Sequence, residues 1–122
     1  MGKRVLTVDD SKTMRDMLRL ALTKAGYEVV QADDGAHGVE VLQATPDIDV
    51  IVTDINMPRM DGYAFIDSVR KDPKNRTTPI LVLTTESEPE KKQRAREAGA
   101  TGWIVKPFDP EKLVAAINRV AP

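Results

Sequence analysis

The chain has 122 residues, and 18 lysines and arginines against 19 aspartates and glutamates give a net charge of −1. This length suits one domain with a single hydrophobic core, and the balanced charge gives little electrostatic support for bulk nucleic-acid binding. The lack of cysteine excludes disulfides and thiol chemistry, and no apolar run approaches the roughly 18 residues of a membrane span, so we expect a cytoplasmic protein.

Short apolar runs alternate with amphipathic segments along the whole chain, which is typical of alternating strands and helices. The predicted strands are residues 5–8, 28–32, 49–53, 79–84 and 102–105. The predicted helices are residues 12–25, 35–43, 63–71 and 87–98, followed by a last helix that begins near residue 110. The pattern is therefore a strand followed by a helix, five times over.

Capping signals mark three of the predicted helix starts. Ser11 is placed to cap the first helix, and Ser87 with Glu90 has the spacing of a capping box on the fourth. Asp109 followed by Pro110 predicts an N-cap and a proline at the first helical position.

Continuous apolar strands joined by helices predict a parallel sheet that is covered on both faces. Right-handed crossovers leave few topologies for such a chain. The expected fold is thus α/β, a doubly wound parallel sheet of five strands. Ligands of these sheets bind at the carboxyl ends of the strands, near the point where the strand order reverses.

Polar residues follow four of the predicted strands. Asp9 and Asp10 follow the first strand, Asp54 the third, Thr84 ends the fourth, and Lys106 follows the fifth. Clustered carboxylates disfavour one another's ionisation, and Mg²⁺ relieves this repulsion because it prefers one or two carboxylates together with water and phosphate oxygens. These strand ends therefore predict a magnesium site.

The same residue types suit phosphoryl transfer to a side chain. A carboxylate beside Mg²⁺ and a lysine can attack phosphorus and form an aspartyl phosphate. The metal and Lys106 would stabilise charge on the phosphoryl oxygens, and the Thr84 hydroxyl could donate to another oxygen. Each residue alone has an ordinary reading as a turn, strand-end or solvated residue. Their convergence at four strand ends favours a function in phosphoryl transfer.

The chain resembles the receiver domains of two-component response regulators, and most closely the CheY-type single-domain chemotaxis regulators. Four segments carry the resemblance: VDDS at 8–11, DINMPRMDG at 54–62, LT at 83–84 and GATGWIVKPF at 99–108. The resemblance covers essentially the whole chain. It implies the flavodoxin-like fold, whose strand order 2-1-3-4-5 is known for this family.

The resemblance also implies roles for residues at the predicted magnesium site. Asp54 would be the phosphorylated residue. Mg²⁺ would be bound directly by Asp10 and Asp54, through water by Asp9, and by the backbone carbonyl of Asn56.

Further roles implied by the resemblance concern the phosphoryl group and the response to it. Thr84 and Lys106 would hold the phosphoryl group, and the bond between Lys106 and Pro107 would be cis. Thr84 would then move inward and Trp103 would follow it, although tyrosine or phenylalanine is more usual at position 103.

Two neighbouring positions resemble those that set the lifetime of the phosphoryl group. Asn56 lies two residues after Asp54, and Glu86 lies two residues after Thr84. This pair implies rapid dephosphorylation. Thr85 stands where a smaller residue is common, and its bulk would restrict access to Asp54.

The expected partners are those of a signalling switch rather than of an enzyme. A CheA-like histidine kinase would supply the phosphoryl group, the target would be the flagellar motor switch or another protein, and a phosphatase would be a further partner. The fourth helix has few apolar residues, so we expect it to be weakly anchored. The resemblance implies that its face with strand five and helix five is the output surface. We expect a monomeric single receiver domain, residues 1–122, with no effector domain.

Two alternatives stay open at this point. A phosphorelay intermediate or phosphate sink in another pathway would use the same chemistry with a different partner. A phosphatase with an aspartate nucleophile is a more distant alternative. It would need a second aspartate two residues after the nucleophile, where this chain has Asn56, and a cap domain.

Overall fold

The chain alternates strands and helices in a computed structural model that describes residues 3–122. The strands are β1 (Arg4–Val8), β2 (Glu28–Ala32), β3 (Val50–Thr53), β4 (Ile80–Thr84) and β5 (Gly102–Val105). The helices are α1 (Lys12–Lys24), α2 (Gly35–Ala44), α3 (Gly62–Lys71), α4 (Pro89–Ala98) and α5 (Pro110–Val120), with a short 3₁₀ helix at Pro73–Asn75.

Within the described residues the five strands form one parallel sheet in the order β2-β1-β3-β4-β5, which confirms the predicted fold class and strand order. The chain runs from β1 outward to β2 and then crosses to β3 on the other side of β1. Val8 and Thr53 are register partners at the ends of β1 and β3. The residues that follow them, Asp9 and Asp54, therefore leave the sheet side by side at the switch point.

The side chains of alternate strand residues pack into two separate cores, one on each face of the sheet. Leu6 and Ile51 belong to the core covered by α2, α3 and α4, which contribute buried residues such as Phe65. Val5 belongs to the other core, where α1 and α5 contribute buried residues such as Leu18. Burial on both faces explains why the strands are apolar throughout rather than alternating.

Most predicted helix and strand bounds match the observed ones, and the others differ by one or two residues. Ser11 and Asp109 cap α1 and α5 with their side chains, and Pro110 is the first residue of α5, as predicted. The capping box predicted from Ser87 and Glu90 is wrong. The helix begins at Pro89 with Glu88 as its N-cap and no side-chain cap bond, because proline has a fixed φ and no N–H and so favours the first helical position.

Helix α4 is held to the sheet by little apolar burial. All of α4 lies in the described part of the chain, and Ala95 is its one buried residue. By contrast α3 buries Tyr63, Phe65, Ile66 and Val69. The polar composition of α4 thus gives the weak anchoring that its sequence predicted. Among residues 3–122, no helix combines the length and apolarity needed to cross a membrane.

Candidate functional site

Two buried carboxylates share one ammonium at the carboxyl edge of the sheet. Lys106 Nζ lies 2.9 Å from Asp9 Oδ2 and 2.8 Å from Asp54 Oδ2. Asp9 is 2% exposed and Asp54 is 8% exposed, whereas Asp10 points to solvent. The structure thus brings together Asp9, Asp54 and Lys106, and the bond between Lys106 and Pro107 is cis, as the resemblance implied.

Backbone hydrogen bonds of the sheet continue past the strand ends and orient the two carboxylates. The amide of Asp9 donates to Ala32, and the amide of Asp54 donates to Val8. Asp9 Oδ1 accepts from the Ser11 amide at 2.9 Å, and Asp54 Oδ1 accepts from the Ile55 amide at 2.6 Å. Each carboxylate therefore has one oxygen held by the backbone and the other held by Lys106.

Burial and hydrogen bonding oppose one another in setting the protonation of this cluster. Burial raises the pKa of Asp9 above its usual 3.8, against the hydrogen bonds from Lys106 and Ser11, which lower it. Burial also disfavours the charged form of Lys106, but its hydrogen bonds to Asp54 and Asp9 outweigh this and raise its pKa. Lys106 is therefore an ammonium at neutral pH, held between two acids.

The donor set fits a small divalent cation. Asp9, Asp10 and Asp54 each offer a carboxylate oxygen, and the three oxygens lie within 4.8 Å of one another. Lys106 contributes one ammonium to this described cluster of three carboxyl groups, and it bonds to Asp9 and Asp54. Carboxylate oxygens with an exposed side open to water are what Mg²⁺ prefers. The residues present therefore fit Mg²⁺.

Thr84 and Trp103 both contact the loop that follows β4. Thr84 is fully buried at the end of β4, and its backbone carbonyl accepts from the Lys106 amide at 2.7 Å. Thr84 Oγ1 accepts from the Glu86 amide at 3.4 Å, and Trp103 Nε1 donates to the Glu86 carbonyl at 3.0 Å. The predicted switch pair is thus connected through the backbone of Glu86.

Asn56 and Glu86, which the resemblance paired, are in contact. Asn56 Nδ2 donates to Glu86 Oε1 at 3.1 Å, which joins the loop after β3 to the loop after β4. Lys91 Nζ, on α4, lies 2.8 Å from Glu86 Oε2. The hydrogen bonds from Lys91 and Asn56 lower the pKa of Glu86. Sequence reasoning missed the contact of Lys91 with Glu86, since no strand-end signal marks Lys91.

Sequence reasoning also missed a clamp on the loop that carries Asn56. Arg59 Nε and Nη2 donate to the two oxygens of Asp34, at 2.6 and 3.0 Å. Gly35 N donates to Met60 O at 3.1 Å, so the start of α2 touches this loop twice. Asp34 is the second residue after β2, as Asp10 is after β1, so applying the strand-end rule to every strand would have pointed to it.

The Asp34–Arg59 pair predicts a pH-dependent stability. The hydrogen bond from Arg59 holds the pKa of Asp34 below 3.8, so its stabilisation is present above pH 3.8 and is lost as the pH falls through the folded-state pKa. We expect Asp34→Asn, which keeps an N-cap side chain, to unfold at lower urea than wild type at pH 7. The difference should shrink towards pH 3.

Asp61→Asn is the matched control, because Asp61 caps α3 through the Ala64 amide in the same way but is not bound by Arg59. Urea unfolding followed by circular dichroism at several pH values measures all three proteins. A gap between Asp34→Asn and wild type that stays constant from pH 7 to pH 3 would contradict the role of the ion pair.

Comparison with known proteins shows which proteins the chain resembles over most of its length. The family model described as the response regulator receiver domain matches residues 5–118. The chain is 40% identical over 111 residues to the chemotaxis protein CheY1 of Helicobacter pylori, covering 90% of each chain. It is 37% identical over 116 residues to the sensor histidine kinase CheAY of the same species, covering 94% of this chain and 14% of that one. The solved structure of the Vibrio cholerae chemotaxis protein CheY4 matches with a TM-score of 0.94 and 48% identity, covering 98% of this chain and 99% of that one.

Proposed function

Because this chain belongs to the response regulator receiver domains, we propose that Asp54 accepts a phosphoryl group from a histidine kinase and that the phosphorylated form changes its affinity for a downstream protein. Receiver domains are signalling switches and are generally not classed as enzymes. The donor in this proposal is a CheA-like kinase. A kinase partner is supported by the similarity of this chain to part of a sensor histidine kinase.

The observation that carries the proposal is the shared contact of Lys106 with Asp9 and Asp54 at one strand edge. In the transfer, an Asp54 oxygen forms a bond to phosphorus as the bond from phosphorus to the kinase imidazole nitrogen breaks. The electron pair of that bond leaves with the nitrogen. Lys106 would neutralise charge on one phosphoryl oxygen, and the Thr84 hydroxyl would donate to another.

Asp10, Asp54 and the backbone carbonyl of Asn56 would hold Mg²⁺ directly, and Asp9 would hold it through water. When bound, the ion neutralises charge on the transferring phosphoryl group. Asp9 and Asp54 are already fixed by their backbone hydrogen bonds and by Lys106. The chain therefore supplies a preorganised set of oxygen ligands.

The output of the switch would run from Thr84 through Glu86 to Trp103. An inward shift of the Thr84 hydroxyl towards a phosphoryl oxygen would change its contact with the Glu86 amide. The indole of Trp103 holds the carbonyl of the same residue, so it would respond to that movement. Asn56 and Glu86 would tune dephosphorylation.

The proposed target surface is formed by α4, β5 and α5. Val105 on β5 is 42% exposed, and α4 is weakly anchored, which suits a surface that responds to a small local change. The names of the relatives favour chemotaxis. We therefore propose a monomer in the cytoplasm whose target is the flagellar motor switch, with a phosphatase as a further partner.

Phosphorylation of Asp54 is tested by intact mass spectrometry after incubation with acetyl phosphate. We expect wild type to gain the mass of one phosphoryl group only when Mg²⁺ is present, and Asp54→Asn to gain none, because an amide is not a nucleophile towards phosphorus. Asp61→Asn is the control, since Asp61 lies in the following loop and caps α3. An adduct on Asp54→Asn would show that another residue is the acceptor.

Removing the Asp9 carboxylate should separate metal binding from stability. We expect Asp9→Asn to bind Mg²⁺ at least about tenfold more weakly than wild type. Burial raises the pKa of Asp9, so its contribution to stability is present below pH 3.8 and is lost as the pH rises through the folded-state pKa. Without Mg²⁺ at neutral pH, Asp9→Asn should therefore be more stable than wild type.

Calorimetric titration with Mg²⁺ and thermal unfolding with and without Mg²⁺ measure both effects. Asp16→Asn is the control, because Asp16 is exposed and pairs with Lys12 on α1. Mg²⁺ should raise the melting temperature of wild type and of Asp16→Asn much more than that of Asp9→Asn. Equal Mg²⁺ affinities for wild type and Asp9→Asn would remove Asp9 from the metal site.

A further inference from the structure

Glu86 contacts four parts of the molecule. Its carbonyl accepts from Trp103 Nε1 at 3.0 Å, and its amide contacts Thr84 Oγ1 at 3.4 Å. Its two carboxylate oxygens accept from Asn56 at 3.1 Å and from Lys91 at 2.8 Å. The backbone of Glu86 is thus tied to β4 and β5, while its side chain links the loop after β3 to α4.

Lys91 differs from its neighbour on the same helix. Its ammonium lies 2.8 Å from Glu86 and 3.1 Å from Glu88, and its side chain is 39% exposed. Lys92 is exposed, and the ion pairs of Glu86 and Glu88 are both made with Lys91. The hydrogen bonds to Glu86 and Glu88 raise the pKa of Lys91. Lys91 is therefore charged and directed at the loop after β4, and Lys92 is a matched position without that contact.

The Asn56–Glu86 contact spans the gap between the two loops that border the proposed phosphorylation site. Asn56 lies two residues after Asp54, and Glu86 lies two residues after Thr84. Hydrolysis of an aspartyl phosphate forms a bond from a water oxygen to phosphorus and breaks the bond from phosphorus to the Asp54 oxygen. The electron pair returns to the carboxylate, and a water proton is released with inorganic phosphate. The water must approach in line with the breaking bond, and the two loops that carry Asn56 and Glu86 follow the strand ends at which Asp54 and Thr84 lie.

We propose that Lys91 is a positioning residue for dephosphorylation. By holding Glu86 Oε2, it keeps Oε1 on the Asn56 amide and keeps the bridge closed against attacking water. This inference rests on the proposed phosphorylation of Asp54 and extends it to α4. Lys91 belongs to the proposed output surface. An acidic partner whose carboxylates bind Lys91 would therefore release Glu86 and shorten the phosphoryl lifetime.

The test compares phosphoryl lifetimes of the full chain and its variants. Each protein is loaded with acetyl phosphate and Mg²⁺, the donor is removed by rapid desalting, and the adduct is followed by intact mass. We expect Lys91→Met to lose the phosphoryl group about threefold faster than wild type, as befits a partly exposed ion pair. Lys91→Arg should restore most of the wild-type lifetime, and Lys92→Met, with the same loss of charge, should match wild type.

The dependence of the phosphoryl lifetime on ionic strength is a second test, because this dependence would not change in Lys91→Met if Lys91 had a purely structural role. Salt screens exposed ion pairs beyond a Debye length of roughly 10 Å at 0.1 M and weakens the closer ones. Raising the salt concentration should therefore shorten the lifetime in wild type and Lys92→Met, but barely in Lys91→Met. In the unphosphorylated protein without Mg²⁺, the side-chain amide resonances of Asn56 should shift in Lys91→Met and not in Lys92→Met.

The possible outcomes separate this inference from the proposal on which it rests. If wild type and Lys91→Met form adducts with equal lifetimes, or if the Lys91→Met adduct lives longer, the positioning role of Lys91 is overturned while phosphorylation of Asp54 stands. If wild type forms no adduct, both are overturned. Circular dichroism verifies that Lys91→Met is folded, and Lys91→Gln, which must shorten the lifetime in the same way, serves as a second variant.

Discussion

The sharing of one ammonium by two buried carboxylates is the interaction on which the site depends. Asp9 and Asp54 emerge from adjacent parallel strands, where burial opposes their charge and each repels the other. Lys106 arrives from β5, two strands away from β3, and bonds to both acids. Removing the lysine would leave two buried carboxylates without a counter-ion, a costly state in a protein interior. The apolar side chains buried on both faces of the sheet stabilise the fold, and this stability compensates for the cost of the polar edge.

A chain of contacts connects this edge to the surface. The Lys106 amide binds the carbonyl of Thr84, the Thr84 hydroxyl meets the Glu86 amide, and the Glu86 carbonyl binds Trp103. The Glu86 side chain then reaches Lys91 on α4, the helix with the least apolar burial. Strands packed against two cores hold the site residues in place, whereas Ala95 is the one buried residue of α4, all of which is described. The proposed output face is thus less firmly packed than the proposed phosphorylation site.

A feature of the fold or of the site is predictable from the sequence when it follows from the local pattern of residues. The strand ends at Asp9, Asp54 and Lys106 were predictable, because apolar runs define the strands and parallel strands end at one edge. The start of α4 was predicted wrongly, because Pro89 outweighed the capping-box spacing. The strand-end rule points to Asp34, but its pairing with Arg59 and that of Lys91 with Glu86 could not be predicted. Arg59 has a left-handed backbone with φ of 63°, and the reach of Lys91 to Glu86 depends on how α4 sits against a loop.

The connection from Asp54 to the surface is tested most directly by following Trp103, the only tryptophan in the sequence, during phosphorylation. Its fluorescence is recorded while Mg²⁺ and then acetyl phosphate are added, and again after the donor is removed. We predict a change that requires Asp54 and that decays at the same rate as the phosphoryl adduct, because the Trp103 indole binds the loop that Thr84 would move. A stable adduct on Asp54 with unchanged fluorescence would contradict the connection from site to surface.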